Sequence, residues 1–335
     1  MIYFFKAETV SVMEPLELLE LAPLRIKFQT LTAFRSPEYK GALFRGGFGE
    51  FFRGLTCVTG APTCAGCFHS ESCAYLRVFE SPVRPEQMPV LRRYPYAPHP
   101  FVLTPPLDPR TALPVGTELA LELTLIGPGI RYLPHFIAVF DALGRSGRYG
   151  GAFRLKRVTS ALEEAVVIYD GSSRRLMAEP PLWRPPHGRA AVERMRLEFV
   201  TPLRIRTEGR YNARPDLVAV THALLRRIHL LAAVYGGGNG DASWMRPLLA
   251  AADRAVTERA DFRLYEWSRT SGRQRRRVEM DGVVGTLEAR GDLGALAPYF
   301  EAGRWLHVGS GTSMGMGRYE LLEDIENDHL DNANS

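Results

Sequence analysis

An α+β architecture, in which one small sheet-and-helix unit is built twice in tandem, is the fold class that this 335-residue chain predicts. Three observations predict it. The pentapeptide Pro23-Leu24-Arg25-Ile26-Lys27 recurs as Pro202-Leu203-Arg204-Ile205-Arg206 in similar apolar surroundings, and self-similarity of this kind marks a duplicated unit. Each copy is followed by the same succession of hydrophobic periodicities, ending both times in a glycine-rich loop. Between them, 178–188 carries Pro180, Pro181, Pro185 and Pro186, which remove ladder donors and favour an extended linker. The units are therefore expected at 1–180 and 181–322.

In the first unit the pentapeptide reads as a strand. Residues 41–55 mix Phe44, Phe48, Phe51 and Phe52 with Arg45 and Arg53, the spacing of a glycine-weakened helix that packs one aromatic side. Strands follow at 101–104 and 119–126, then a helix at 133–143. The run Gly144-Arg145-Ser146-Gly147-Arg148-Tyr149-Gly150-Gly151 leads into a strand at 153–158. In the second unit the succession is a strand at 202–206, an amphipathic helix at 217–235, strands at 262–267 and 278–287, and a helix at 293–300. A glycine-rich loop at 309–317 then enters a strand at 318–322. Strand, helix, strand, strand, helix, strand, twice over, is a tandem ferredoxin-like (RRM-like) arrangement, whose four-stranded sheet can serve as an RNA platform. Residues 323–335 hold Glu323, Asp324, Glu326, Asp328 and Asp331 with no Lys or Arg, an acidic tail expected to be disordered.

With 45% hydrophobic and 24% charged residues the chain can bury two ordinary cores. No unbroken apolar run approaches the roughly 18 residues that span a bilayer, and the start of the chain lacks a secretory pattern. A soluble, cytoplasmic protein with no membrane partner is expected. The net charge of +5 understates the body of the chain, since the tail is acidic. Such a balance suits a polyanion. Of 42 basic residues only Lys6, Lys27, Lys40 and Lys156 are lysines, and arginine grips phosphate through a planar fork, although a GC-rich genome yields the same excess. No P-loop, nucleophile elbow or recognisable carboxylate pair appears.

All four cysteines fall in one segment, Cys57-x6-Cys64-x2-Cys67-x5-Cys73. This spacing supplies four thiolates for a structural zinc folding an insertion at about 56–75. An iron–sulfur cluster takes the same ligands, and unliganded buried cysteines are the bland alternative. A closed four-thiolate site leaves no position for water, so the metal would not cut a substrate.

Several strings share an order and spacing: Arg45-Gly46-Gly47-Phe48-Gly49, the four cysteines, Cys73-Ala74-Tyr75 running into Phe79-Glu80-Ser81-Pro82, Trp267-Ser268-Arg269, Ser271-Gly272-Arg273-Gln274, Gly282-Val283-Val284-Gly285, Leu306-His307-Val308-Gly309 and Gly315-Met316-Gly317-Arg318-Tyr319. Over most of its length the chain thereby resembles the CRISPR-associated RAMP (repeat-associated mysterious protein) endoribonucleases that process precursor CRISPR RNA, in a branch with a four-cysteine insertion. Ser310 departs from the lysine that the family often carries there. The resemblance implies cleavage without a metal or other catalytic cofactor. In it a ribose 2′-hydroxyl attacks the neighbouring phosphate, leaving a cyclic phosphate and a 5′-hydroxyl. It also implies CRISPR repeat RNA as partner, and other CRISPR effector subunits as further ones.

Such a cut needs proton transfer and charge stabilisation. Of eight histidines, His307 directly precedes the last glycine-rich loop and is the first candidate, with a buried structural imidazole as the alternative reading. His135, near a helix start, is the second. In several members of the resembled family the first helix supplies the catalytic groups, and Tyr39 and Lys40 are the comparable residues here, or else an exposed helix start. For holding RNA, Arg269, Arg273, Arg275, Arg276 and Arg277 crowd one strand connection. Arg145, Arg148 and Arg154 flank the first glycine loop. Gly309, Ser310, Gly311, Gly315, Gly317 and Arg318 form the second, and Tyr149 and Trp267 are candidates for stacking on bases. Two other readings stand beside this one: a non-cutting RAMP subunit that holds guide RNA, which would share the fold, the arginine clusters and the glycine loops, and, more distant, an iron–sulfur redox or sensory module.

Overall fold

The computed structural model describes all residues except 1–14, 82, 84–87, 93, 95, 149, 187–191, 208, 272–275 and 323–335. Arg273, Arg275, Tyr149 and the acidic tail therefore lie outside the described residues.

Leu21–Thr30 is the central strand of the first lobe, burying Leu24, Ile26 and Phe28 on one side while Arg25, Lys27 and Gln29 alternate to the other, the period-two pattern of a half-covered strand. It pairs antiparallel with Glu118–Ile126 and Phe153–Ser160. Phe101–Thr104 lies outside the former, and Val167–Asp170 and Arg175–Leu176 extend the sheet past the latter. Helices Gly41–Thr56 and Leu133–Ser146 cover the buried face. Phe48 sits 4.8 Å from both Phe136 and Phe140, centroid to centroid. Burying each such ring contributes about 1.5 to 3 kcal/mol.

The second lobe repeats the topology. Its sheet runs Val256–Tyr265, Gly282–Arg290, Arg194–Leu203, Tyr319–Leu322, so that in both lobes the first and third strands of the repeat are neighbours at the centre with the second and fourth outside them. This is the tandem ferredoxin-like fold that the order of elements predicts. Helix Leu217–Tyr235 starts where the Asp216 side chain accepts from the Ala219 amide at 2.8 Å, an N-cap that satisfies a free donor. By length and composition this helix could cross a membrane. In the fold it is a core helix: Leu217, Val220, Leu224, Leu225, Ile228 and Leu231 are buried in the main cluster of this lobe.

Some boundaries differ from the sequence expectations. The second pentapeptide is not the register equivalent of the first. Pro23 to Lys27 occupy the middle of their strand, whereas Pro202 and Leu203 end theirs, because the alternation that reaches the core is Met195, Leu197, Phe199. The pair expected at 262–267 and 278–287 is instead Val256–Tyr265 with Gly282–Arg290, plus a separate hairpin of Ser268–Ser271 and Arg276–Glu279. The Trp267 amide donates to the Asp281 carboxylate, which turns the chain between the two. The last helix is Ala297–Leu306, since Pro298 suits a first helical turn and the preceding 293–296 forms the turn that enters it. Helix Met245–Arg254 was not expected; it is short and contains Pro247 in its opening turn.

The lobes are in direct contact. Val102 and Ile126 of the first sheet belong to the same buried cluster as the second lobe's helices, and Tyr39 packs with Met280 and Met316.

Candidate nucleic-acid interface between the lobes

The second glycine-rich loop is wedged against the first lobe. A Cβ on Gly315 would lie 2.4 Å from Pro105 Cδ, and one on Gly317 would lie 1.8 Å from the Val308 carbonyl oxygen, both at positive φ. Only glycine fits either position. The amides of Ser310, Met314, Gly315, Met316 and Gly317 donate to Arg204, Gly311, Thr312, Gly311 and Pro202 carbonyls respectively. These donors hold the loop together rather than standing open to a phosphate.

His307 caps helix Ala297–Leu306 with φ +59 and is almost wholly buried. Its Nδ1 lies 3.1 Å from the Met316 carbonyl and its Nε2 3.2 Å from Thr104 Oγ1. A carbonyl only accepts, so Nδ1 carries the proton and Nε2 accepts from the Thr104 hydroxyl. Burial, with Arg318 and Arg227 adding to it, pushes the imidazole down to about 3. It is a neutral crosslink between the lobes. Tyr39 is similarly committed: its hydroxyl donates to the Met314 carbonyl at 2.7 Å, its ring packs 4.7 Å from Trp267, and burial pushes its phenol well up. Lys40 is completely buried, with Nζ against the carbonyls of Asp108 at 2.6 Å, Arg110 at 3.0 Å, Glu38 at 3.2 Å and Pro37 at 3.4 Å. Burial lowers its ammonium while Asp108 and Glu38 oppose that. His135 alone of the four proton-transfer candidates is exposed, stacked on Phe52 at 6.0 Å.

The arginines divide. Arg318 joins Glu122 of the first sheet and Glu320, each at 2.9 Å, with its side chain 18% exposed; it is a bond between lobes. Around the first loop, Arg145 pairs with Asp141 at 3.1 Å, Arg148 with Glu50 at 2.9 Å, and Arg154 donates to Gln29. Gly147 ends the helix at φ +63, and Gly150 and Gly151 press on Phe34 and Ala33. On the hairpin, Arg277 is exposed and donates to Ser268 Oγ at 2.7 Å; Arg276 is described only as a strand position. Trp267 is packed, not presented, and its indole N–H is buried with no acceptor among the described residues.

Three residues that sequence reasoning left out stand together deeper in the contact. Arg45 Nη2 donates to His99 Nε2 at 3.0 Å, and its guanidinium lies over the Phe79 ring at 4.4 Å. Arg227, from helix Leu217–Tyr235, donates through Nε to the Leu306 carbonyl at 2.7 Å. Burial pushes both guanidiniums down to about 10. His99 is pushed down to about 3 by burial, then by Arg45 and Arg227, with a hydrogen bond to the Phe79 backbone opposing. Arg45 Nε, Arg227 Nη2 and Arg269 Nε are buried with no acceptor among the described residues. The sequence offered one signal, a polar Arg45 beside Phe44 and Phe48 on the helix.

Cys57, Cys64, Cys67 and Cys73 are free, half-buried thiols following the first helix. Burial raises Cys64, with Glu80, Cys73 and Cys57 acting in the same direction. Among the described residues no three Cys, His, Asp or Glu side chains stand close enough to hold a metal ion. The thiols share one segment without forming a closed tetrahedral set.

Two sequence families match the chain. An N-terminal domain family matches 18–181, and the CRISPR-associated endoribonuclease Cas6 family matches 197–319. Over 197–319 the chain is Cas6-like in sequence. The two matches of this Cas6-like chain fall one on each lobe. A Cas6 product complex from Thermus thermophilus superposes on it with TM-score 0.54 at 18% identity, covering 90% of this chain and 100% of that one. A partial Cas6–RT–Cas1–Cas2 complex also superposes at TM-score 0.54, with 10% identity over 93% of this chain and 47% of that chain, so the Cas6-like chain spans about half the length of that neighbour. These structures share its fold. An uncharacterized protein of Archaeoglobus fulgidus is 25% identical over 215 residues, 61% of this chain and 67% of the relative.

Proposed function

We propose that this protein binds CRISPR repeat RNA and cuts it endonucleolytically, without a metal, by attack of a ribose 2′-hydroxyl on the adjacent phosphate. The observation that carries this is the Cas6 family match over 197–319, on a lobe whose face toward its twin carries buried arginines without acceptors. Such a site supplies positioning and charge stabilisation, the main demands of this reaction. His307, Tyr39 and Lys40 act by holding the cleft in shape, which their burial and hydrogen bonds support. His135 is open for proton transfer at its own surface. Arg269 and the exposed Arg277 grip RNA from the hairpin, with Arg273, Arg275 and Arg276 beside them in sequence. The partner class is repeat RNA, together with other CRISPR proteins as in the neighbouring assembly.

The test is incubation with the cognate repeat RNA in excess EDTA. Cleavage at one position, with 2′,3′-cyclic phosphate and 5′-hydroxyl ends, is expected; tight binding with intact RNA would instead indicate a non-cutting RAMP subunit. We also propose a structural zinc on the four cysteines, supported by their spacing. One equivalent of zinc by elemental analysis, no visible absorbance and loss of the metal in Cys64→Ser with cleavage retained by the metal-loaded wild type in mild chelator are expected. A brown chromophore would point to iron and sulfur.

A further inference from the structure

Buried guanidinium N–H groups without acceptors are rare, because each costs on the order of 1 to 3 kcal/mol of desolvation. Here Arg45 Nε and Arg227 Nη2 are both in that state, one contributed by the first helix of one lobe and the other by the first helix of the other. His99 lies within electrostatic reach of both. Among the described residues Arg45 has a neutral imidazole as its hydrogen-bond acceptor, and Arg227 has a backbone carbonyl. Neither has a carboxylate partner among the described residues, although the exposed Arg145 and Arg148 and the half-buried Arg318 all have one. Arg269 adds a third cation close enough to act on Arg45 and itself has a buried, unaccepted Nε. Two lobes pressed together around like charges, with buried donors left over, form an arrangement whose missing component is an anion.

We propose that Arg45, His99 and Arg227 form a pocket for a single phosphate group, filled by one backbone phosphate of the RNA that the protein holds. The inference rests on the RNA-binding reading and narrows it to one linkage. Arg45 supplies a fork to two non-bridging oxygens, as guanidinium geometry favours. Arg227 closes the pocket from the opposite lobe. His99, with Nε2 as acceptor, positions the Arg45 guanidinium.

Two arms separate the pocket from the wider reading. In the first, inorganic phosphate alone is titrated into the full-length protein and the melting temperature followed. Stabilisation of wild type that is lost in Arg45→Gln and in Arg227→Gln is expected, since a ligand of the folded state raises its stability by mass action; a phosphate response that persists in both variants overturns the pocket. In the second, repeat RNAs each carrying one uncharged methylphosphonate linkage are bound at low salt. One position should lose at least about tenfold in wild type and nothing further in Arg45→Gln, while Arg277→Ala should keep that position-specific loss. If the same position costs equally in wild type and Arg45→Gln, the phosphate sits elsewhere and the pocket is wrong although RNA binding stands. Phosphate stabilisation through Arg45 with no RNA binding would keep the pocket and sink the RNA reading. Should Arg45→Gln fail to fold, Arg45→Lys, which keeps charge without the fork, serves in both arms with a partial loss expected.

Discussion

The two glycine-rich loops stand at equivalent places in equivalent lobes and have become opposites. The first, after helix Leu133–Ser146, ends a helix and turns into a strand with its arginines out in solvent, each beside a surface acid. The second is driven into the partner lobe. Its backbone touches Pro105, Tyr39 and Thr104 through Gly315, Met314 and His307, and its arginine is tied to the first sheet. A duplicated fold leaves only one of the two loops at the joint. Burial, not glycine content, decides which becomes structural.

The comparison is broken most directly by adding one methyl group to each loop. Gly317→Ala places a Cβ where the Val308 carbonyl already is, at φ +70, and should cost about 3 kcal/mol or more. Gly147→Ala, at φ +63 with its nearest neighbours 3.7 Å away, should cost about 1 kcal/mol. Urea denaturation of both variants measures the difference; equal midpoints would show that the second loop is no more tightly built than the first.

Acid provides the next largest effect. His307, directly before the second loop, and His99, against Arg45, are pushed down to about 3 from an ordinary 6.5. A histidine lowered on folding contributes fully above 6.5 and loses that contribution as pH falls toward 3, because the unfolded chain takes the proton first. Stability should therefore drop between pH 6.5 and 5 by about 2 kcal/mol for each group. His307→Gln should flatten the slope by about half, as followed by melting temperature against pH.

The smallest effects compare the ion pairs. Arg318→Gln removes a half-buried link to Glu122 and should cost about 1 to 2 kcal/mol. Arg145→Gln removes an exposed pair within one helix and should cost less than about 0.5 kcal/mol. Raising the salt concentration should shrink the second difference first.

The fold was legible because its cues are local. Alternating Leu24, Ile26 and Phe28 and the helical recurrence of Phe44, Phe48 and Phe52 each act over a few residues. Register was less so: the repeated pentapeptide matched in letters but not in pairing, since only contact with the neighbouring strand determines which residues face the core. The interface was legible in outline, through the glycines and His307, whose alternative as a buried imidazole is what the geometry favours. Lys40 looked like an available cation because nothing nearby in sequence announces the carbonyls of Asp108 and Arg110. Arg45, His99 and Arg227 come from distant stretches, and no spacing rule connects them before the chain has folded.

Lys40 carries one more implication. Its ammonium is hydrogen-bonded to four peptide carbonyls, with Asp108 and Glu38 acting on it only through their charge, and it is sealed from solvent. Ions in the buffer screen exposed charges strongly and buried dipoles hardly at all. A wash concentrated enough to strip a nucleic acid from the outer guanidinium groups should thus leave the 105–110 segment clamped to the first helix, so that the protein emerges from high salt with an empty yet undistorted cleft.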